Sequence, residues 1–125
     1  MSVTLSIGIM SKEAYQKRTL SIARGTYKRT ATEPKVWLIS LDSLAKLLSP
    51  KNKTLLEFIR DRRPQSIQEL AEMTGRNKGN ISRTLRRMRN YGMVDLQKKE
   101  RGALVPEVKF DRIQIEYGLE SPEAA

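Results

Sequence analysis

Apolar and polar positions alternate at the start of the chain: Val3, Leu5, Ile7 and Ile9 interleave with Ser2, Thr4, Ser6 and Gly8. A period of two sends the two sets to opposite faces of an extended segment and predicts a half-buried strand. Beyond it the period lengthens. Ser11 offers a cap for a helix over Lys12 to Arg24, stopped at Gly25. Its apolar positions Ala14, Leu20 and Ala23, with Tyr15 beside them, make a thin stripe, so this helix packs on something larger than itself. A polar, turn-rich stretch follows from Thr26 to Pro34. The run Lys35 to Ser40, holding the single tryptophan at Trp37, reads as a second strand. A short helix over Leu41 to Leu48 gathers Leu44, Leu47 and Leu48 on one side. Ser49-Pro50 opens the next helix, because serine accepts a free N–H and proline fits the first helical position. That helix buries Leu55, Leu56 and Ile59, with Phe58 alongside, and Pro64 ends it after Arg62.

Ser66 and Glu69 stand at capping-box spacing, ahead of a short amphipathic helix with Ile67, Leu70, Ala71 and Met73, closed at Gly75. Asn77 caps a longer helix, Lys78 to Tyr91, stopped at Gly92. Met93 to Lys98 reads as a strand, Lys99 to Gly102 as a turn, and Ala103 to Phe110 as the return strand. Ile113 to Tyr117 predicts one more strand, and no internal repeat is present. A helix, a short helix, a tight turn and a basic helix, followed by a two-stranded ribbon, make a winged helix-turn-helix. The expected fold class is mainly α with a small β component (α+β). Residues 41–118 form the winged domain, residues 1–40 an N-terminal strand-helix-strand dimerisation arm, and residues 119–125 a disordered tail.

At roughly 100° per residue, Ile81, Leu85 and Met88 fall within about 60° of each other and give the basic helix a narrow core stripe. Opposite lie Gly79, Arg83, Arg86 and Asn90, flanked by Asn80, Ser82 and Arg87. A merely solvated helix mixes Glu with Lys to gain i,i+4 pairs. This one has no carboxylate between Arg76 and Tyr91. Charge is focused in the same place: the formal total is +10, and residues 76–101 hold nine basic side chains against two acidic ones. That is the footprint of a polyanion-binding surface. Histidine and cysteine are both absent. Without them there is no Ser-His or Cys-His nucleophile, no disulfide and no thiolate or imidazole metal site, so no enzyme, metal or cofactor is expected. No apolar run approaches the roughly 18 residues of a membrane span, and the expected setting is cytoplasmic.

Chemical roles follow from position. The N-terminal half of a recognition helix enters the major groove, which makes Lys78, Asn80, Ser82 and Arg83 the base-reading candidates. Arginine suits guanine O6/N7 and asparagine suits adenine N6/N7 as bidentate partners. Gly79 permits close backbone approach or simply marks the helix start. Arg86, Arg87 and Arg89 lie further along and suit phosphates. Asn77 and Ser66 sit at helix N-termini, where backbone N–H groups hold a phosphate or the side chains act only as caps. Lys98, Lys99 and Arg101 cluster at the tip of the hairpin.

The segments SIQELAEMTGR (66–76), NISRTLRRM (80–88) and YGMVDL (91–96), within residues 49–110, resemble the MarR-type winged helix-turn-helix regulators. With IGIMSKEAYQKRTLSIARG (7–25) and PKVWLISLDSLAKLLS (34–49), the whole chain looks similar to a small group of archaeal and bacterial DNA-binding proteins, some of them antitoxins beside a toxin gene. The resemblance implies operator binding, autoregulation and, in that subset, neutralisation of a toxin partner. The chain departs from the MarR layout in lacking the long C-terminal dimerisation helix.

The function read from the sequence is therefore sequence-specific binding of double-stranded DNA by a transcriptional regulator, a repressor acting as a homodimer on a pseudo-palindromic operator. Dimerisation falls to the N-terminal part, through Val3, Leu5, Ile7 and Ile9 and through Val36, Trp37, Leu38 and Ile39. The alternatives are a toxin-neutralising module working through residues 1–40, and an RNA-binding winged helix. The basic face lacks the exposed aromatics that single-stranded RNA binding uses.

Overall fold

The computed structural model describes residues 3–28, 36–38 and 40–119. Local capping chemistry sets where its helices begin. Helix α1 (Lys12–Ala23) starts where Ser11 Oγ accepts the Ala14 N–H at 3.1 Å. Helix α2 (Leu41–Leu47) starts at Ser40, α3 (Pro50–Arg62) at Ser49 with Pro50 in its first turn, and α4 (Ile67–Thr74) at Ser66. Helix α5 (Lys78–Asn90) starts at Asn77. Each side chain satisfies an N–H that the helix itself leaves unpaired, a contribution of typically about 1 kcal/mol. Gly75 closes α4 at φ 69°, a left-handed conformation that glycine adopts without steric penalty. The residue between Arg62 and Pro64 also turns left-handed: Arg63, at φ 47°, donates its N–H to the Ile59 carbonyl. Proline disfavours a continued right-handed helix at the residue before it.

Helices α3, α4 and α5 wrap a shared core and lead into an antiparallel hairpin of β3 (Asp95–Lys98) and β4 (Leu104–Glu107), turned at Glu100–Gly102. This is a winged helix-turn-helix within a mixed α and β chain. Its centre is the stripe read from the α5 period: Ile81, Leu85 and Met88 are each fully buried, against Leu55, Ile59, Leu70 and Met93.

The remaining strands build a second sheet. β1 (Thr4–Ile9) lies in the middle, with β2 (Val36–Leu38) parallel on one side and β5 (Arg112–Tyr117) parallel on the other. Leu5 pairs with Ile113, Ile7 with Ile115 and Ile9 with Tyr117. Paired residues share a face. That face joins the winged core, since Ile7 and Ile9 belong to its cluster and Leu5 and Ile113 pack against it. The opposite face carries Gly8 and Trp37, which are register partners. Helix α1 buries none of its own residues, but its Arg18 guanidinium lies 5.1 Å over the Trp37 ring and 6.0 Å from Tyr27. This cation–π contact is where α1 meets the sheet's Trp37.

This arrangement differs from the sequence reading in two respects. β5, which falls within residues 41–118, pairs with β1 of residues 1–40, so the sheet crosses the division drawn between them. Of the expected dimer contact through Val3, Leu5, Ile7 and Ile9, the last two are committed to the chain's own core, while Val3 is exposed and Leu5 half-buried. Their strand, β1, has a neighbour on either side, and Ile7 and Ile9 are 0% and 6% exposed. Alternation reports that a strand has a buried face; it does not say which chain buries it. Of the second group, Trp37 packs over Gly8, only the backbone of Val36 and Leu38 is described, and Ile39 lies outside the described residues. Of the expected tail only Leu119 is described, and it is exposed; residues 120–125 lie outside the described residues.

Candidate nucleic-acid interface

The turn between α4 and α5 is held from both sides. Thr74 Oγ1 donates to the Leu70 carbonyl at 2.9 Å, Gly75 reverses the chain, and Asn77 Oδ1 accepts the Asn80 N–H at 3.1 Å. Arg76, between them, reaches across to α3, where its Nη1 donates to Asn52 Oδ1 at 3.1 Å. Asn52 in turn donates from Nδ2 to the Leu47 carbonyl at 3.0 Å. One half-buried amide thus links the end of α2, the first turn of α3 and the helix-turn-helix turn. Sequence reasoning missed it, because neither Asn52 nor Arg76 breaks the apolar period. The only available signal was a polar residue in the first turn after Ser49-Pro50. Removing the amide leaves a carbonyl and a guanidinium without their partners, at a cost of about 1–3 kcal/mol. Asn52→Ala is expected to lower the urea midpoint accordingly at constant m-value. An unchanged midpoint refutes the linking role.

Helix α5 turns its core stripe inward and therefore its polar face outward. Lys78, Gly79, Asn80, Arg83, Arg86, Arg87, Arg89 and Asn90 are all exposed, and Ser82 is half-buried. Two of the expected base readers hold each other: Arg83 Nη2 donates to Asn80 Oδ1 one turn earlier, a short contact. Among the described residues no carboxylate lies within ion-pair distance of any basic side chain of α5; the ion pairs present are Lys46–Asp42, Arg60–Asp61 and Lys109–Asp95. In the last of these Lys109 meets Asp95 at 3.5 Å, which neutralises one of the two acids of the basic segment on the wing rather than on the helix.

Gly79 has a local explanation. A methyl group there would sit 3.1 Å from Asn77 Oδ1, tighter than an ordinary contact, so the glycine leaves room for the cap. Ser66 likewise acts as a cap, its Oγ accepting the Glu69 N–H at 3.0 Å. The return bond of the box is shifted by one residue: Glu69 Oε2 accepts the Gln65 N–H at 3.4 Å. Lys98 and Lys99 are exposed at the wing, whose turn is closed by the Lys99 N–H to the Ala103 carbonyl at 2.8 Å. The side chain of Arg101 lies outside the described residues. The structure thus exposes Lys78, Asn80, Arg83, Arg86, Arg87 and Arg89 on the side of α5 away from the core and sets Lys98 and Lys99 on the hairpin that follows it.

Arg60, at the end of α3, chelates Asp61 with Nε and Nη2 at 2.8 and 3.1 Å. That bond holds the Asp61 carboxyl below and the Arg60 guanidinium above its ordinary pKa. Arg60 is therefore already neutralised, whereas the arginines of α5 are not. Among the described residues no cluster of His, Cys, Asp and Glu suits a metal ion, and no helix is long and apolar enough to cross a membrane.

No curated protein matches the chain. A crystal structure of a predicted DNA-binding transcriptional regulator from E. coli is similar, at 22% identity and a TM-score of 0.46, over 76% of this chain and 84% of that one. The family described as HVO_A0114 matches residues 47–115, from the end of α2 through the winged helix-turn-helix into β5. Since this match spans more than half of the 125 residues, the chain belongs to the HVO_A0114 family.

Proposed function

We propose that the chain binds double-stranded DNA sequence-specifically, as a transcriptional regulator occupying a pseudo-palindromic operator as a homodimer. One observation carries the reading. The helix after the helix-turn-helix turn exposes Lys78, Arg83, Arg86, Arg87 and Arg89, with no carboxylate partner among the described residues. An unneutralised basic face on a rigid helix gains by releasing counterions from a duplex, whereas a solubilising face gains by internal ion pairs. Lys78, Asn80 and Arg83 at the start of α5 suit base edges, while Arg86, Arg87 and Arg89 suit phosphates. Lys98 and Lys99 extend the phosphate contact to the wing. No exposed aromatic ring stands on this face, which favours a duplex over a single strand.

The Arg83–Asn80 bond supports treating the pair as one reading unit. Arginine is the commonest bidentate partner of guanine, and a neighbouring amide that fixes its guanidinium lowers the entropic cost of that contact. Operators are first selected from random duplexes with the intact chain. Arg83→Ala is then expected to cost roughly 1–3 kcal/mol on the selected operator while leaving scrambled duplex nearly unaffected, so the specificity ratio falls. A variant with the full ratio excludes Arg83 as a base reader. Failure of the intact chain to enrich any duplex over RNA at equal salt overturns the whole reading.

A further inference from the structure

Among the described residues the outer edge of β5 has no strand beside it, and its sequence is complementary to itself. The Arg112 N–H donates to the Val3 carbonyl at 3.3 Å, on the β1 side. Backbone groups alternate along a strand, so Arg112, Gln114 and Glu116 turn theirs toward β1, and Ile113 and Ile115 turn theirs outward. Ile115 is 44% exposed although its register partner Ile7 is fully buried. An edge with free donors and acceptors beside an exposed isoleucine is a template for another strand.

We propose that this edge is the contact between two copies of the chain, paired antiparallel about Gln114. Outward from Gln114 there is isoleucine on both sides, then Arg112 in one direction and Glu116 in the other. A two-fold axis through Gln114 therefore sets Ile113 opposite the partner subunit's Ile115, and Arg112 opposite the partner subunit's Glu116, each twice. The isoleucine pairs exchange their hydrogen bonds. The Arg–Glu pairs fall at the non-bonded positions, where side chains approach more closely. Parallel pairing in register would set arginine against arginine and glutamate against glutamate. Self-complementarity of this kind is what an isologous contact requires. Opposed residues share a face, so the axis stands perpendicular to the sheet and both winged modules lie on the same side of one continuous sheet. On that side Ile113 and Ile115 line an open, mostly apolar groove of about 350 Å³, with charged Lys53, Glu57, Arg60 and Asp111 also in its lining.

The proposal deepens the homodimer reading above by naming its interface, and its test uses no DNA: folded single variants that dimerise as well as the parent overturn the interface alone, whereas a monomeric chain overturns the dimer with it and leaves DNA binding to its own test. Sedimentation equilibrium of the full chain is expected to show a dimer. Arg112→Glu alone and Glu116→Arg alone each place two like-charge pairs across the axis and are expected to raise the dimer dissociation constant about 10- to 100-fold. Mixing the two single variants is expected to restore a heterodimer, and combining both substitutions in one chain to restore a homodimer. Far-UV circular dichroism checks that each variant is folded, and if a single variant unfolds the combined one carries the test. An intact chain that stays monomeric at about 100 μM overturns the proposal. So do folded single variants that dimerise as well as the parent, and a combined variant that stays monomeric.

Discussion

Replacing Arg86, Arg87 and Arg89 together by alanine is expected to lower duplex affinity on the order of 10²–10³-fold near 0.1 M salt, equally on operator and on scrambled sequence. Each phosphate neutralised contributes about 0.9 to the log–log salt slope, so three lost contacts flatten it by about 2.7. Competing effects on the fold are small. All three side chains are exposed, and none has an ion-pair partner among the described residues. Alanine is a better helix former than arginine by a few tenths of a kcal/mol. Against this, Arg87 and Arg89 stand in the last turn, where a cation gains about 0.3–1 kcal/mol from the helix dipole. These terms nearly cancel, so the loss reports on binding. A slope that does not change means the arginines face solvent in the complex. A loss confined to the operator would make them base readers instead.

Gly8→Ala is expected to destabilise the chain by about 1–3 kcal/mol, the usual cost of forcing extra volume into a packed site. A methyl group at Gly8 would lie 2.9 Å from Trp37 Cδ2 and closer still to Cε3 and Cζ3. These are atoms of a rigid ring already sandwiched beneath Arg18. The sign depends on that ring. In a Trp37→Ala background the three nearest atoms are gone, and the backbone entropy that glycine carries is reduced, a gain of roughly 0.5–1 kcal/mol. The double-mutant cycle is therefore expected to show coupling between the two positions, read from urea unfolding. Equal losses in both backgrounds would mean that Gly8 is needed for its backbone and not for the space it leaves.

Local chemistry was legible in the sequence to within a residue or so. Ser11, Ser49, Ser66 and Asn77 act as caps because a cap needs only its own next turn. The α5 stripe was readable because a 3.6-residue period binds Ile81, Leu85 and Met88 to one face whatever they pack against. The segments that resemble MarR-type regulators are, in the structure, α4 with its turn, the first three turns of α5 and the entry to the wing. Contacts between distant segments were not legible. Nothing local in Val3–Ile9 states that its neighbours are residues 36–38 and 112–117, so an apolar strand without a hairpin partner was assigned to another chain. The Asn52–Arg76 bond and the Gly8–Trp37 approach were hidden for the same reason. Each pairs residues whose own neighbourhoods read as an ordinary surface turn and an ordinary strand.

The pairing of Thr4 with Arg112 closes a loop of more than a hundred residues. Closing so long a loop is entropically unfavourable until the segments between have drawn its ends together, and parallel strands offer no local hairpin to start from. The winged core, built from neighbouring helices and one hairpin, is free to assemble first. The first strand made is then the last to be completed. It is made about a hundred residues ahead of β5, with Leu5, Ile7 and Ile9 uncovered, and its sheet is completed only when β5 joins it. In that interval its free edges and apolar face are the part of the nascent chain most open to pairing with a neighbour, so the chain is most prone to aggregate while it is still being synthesised.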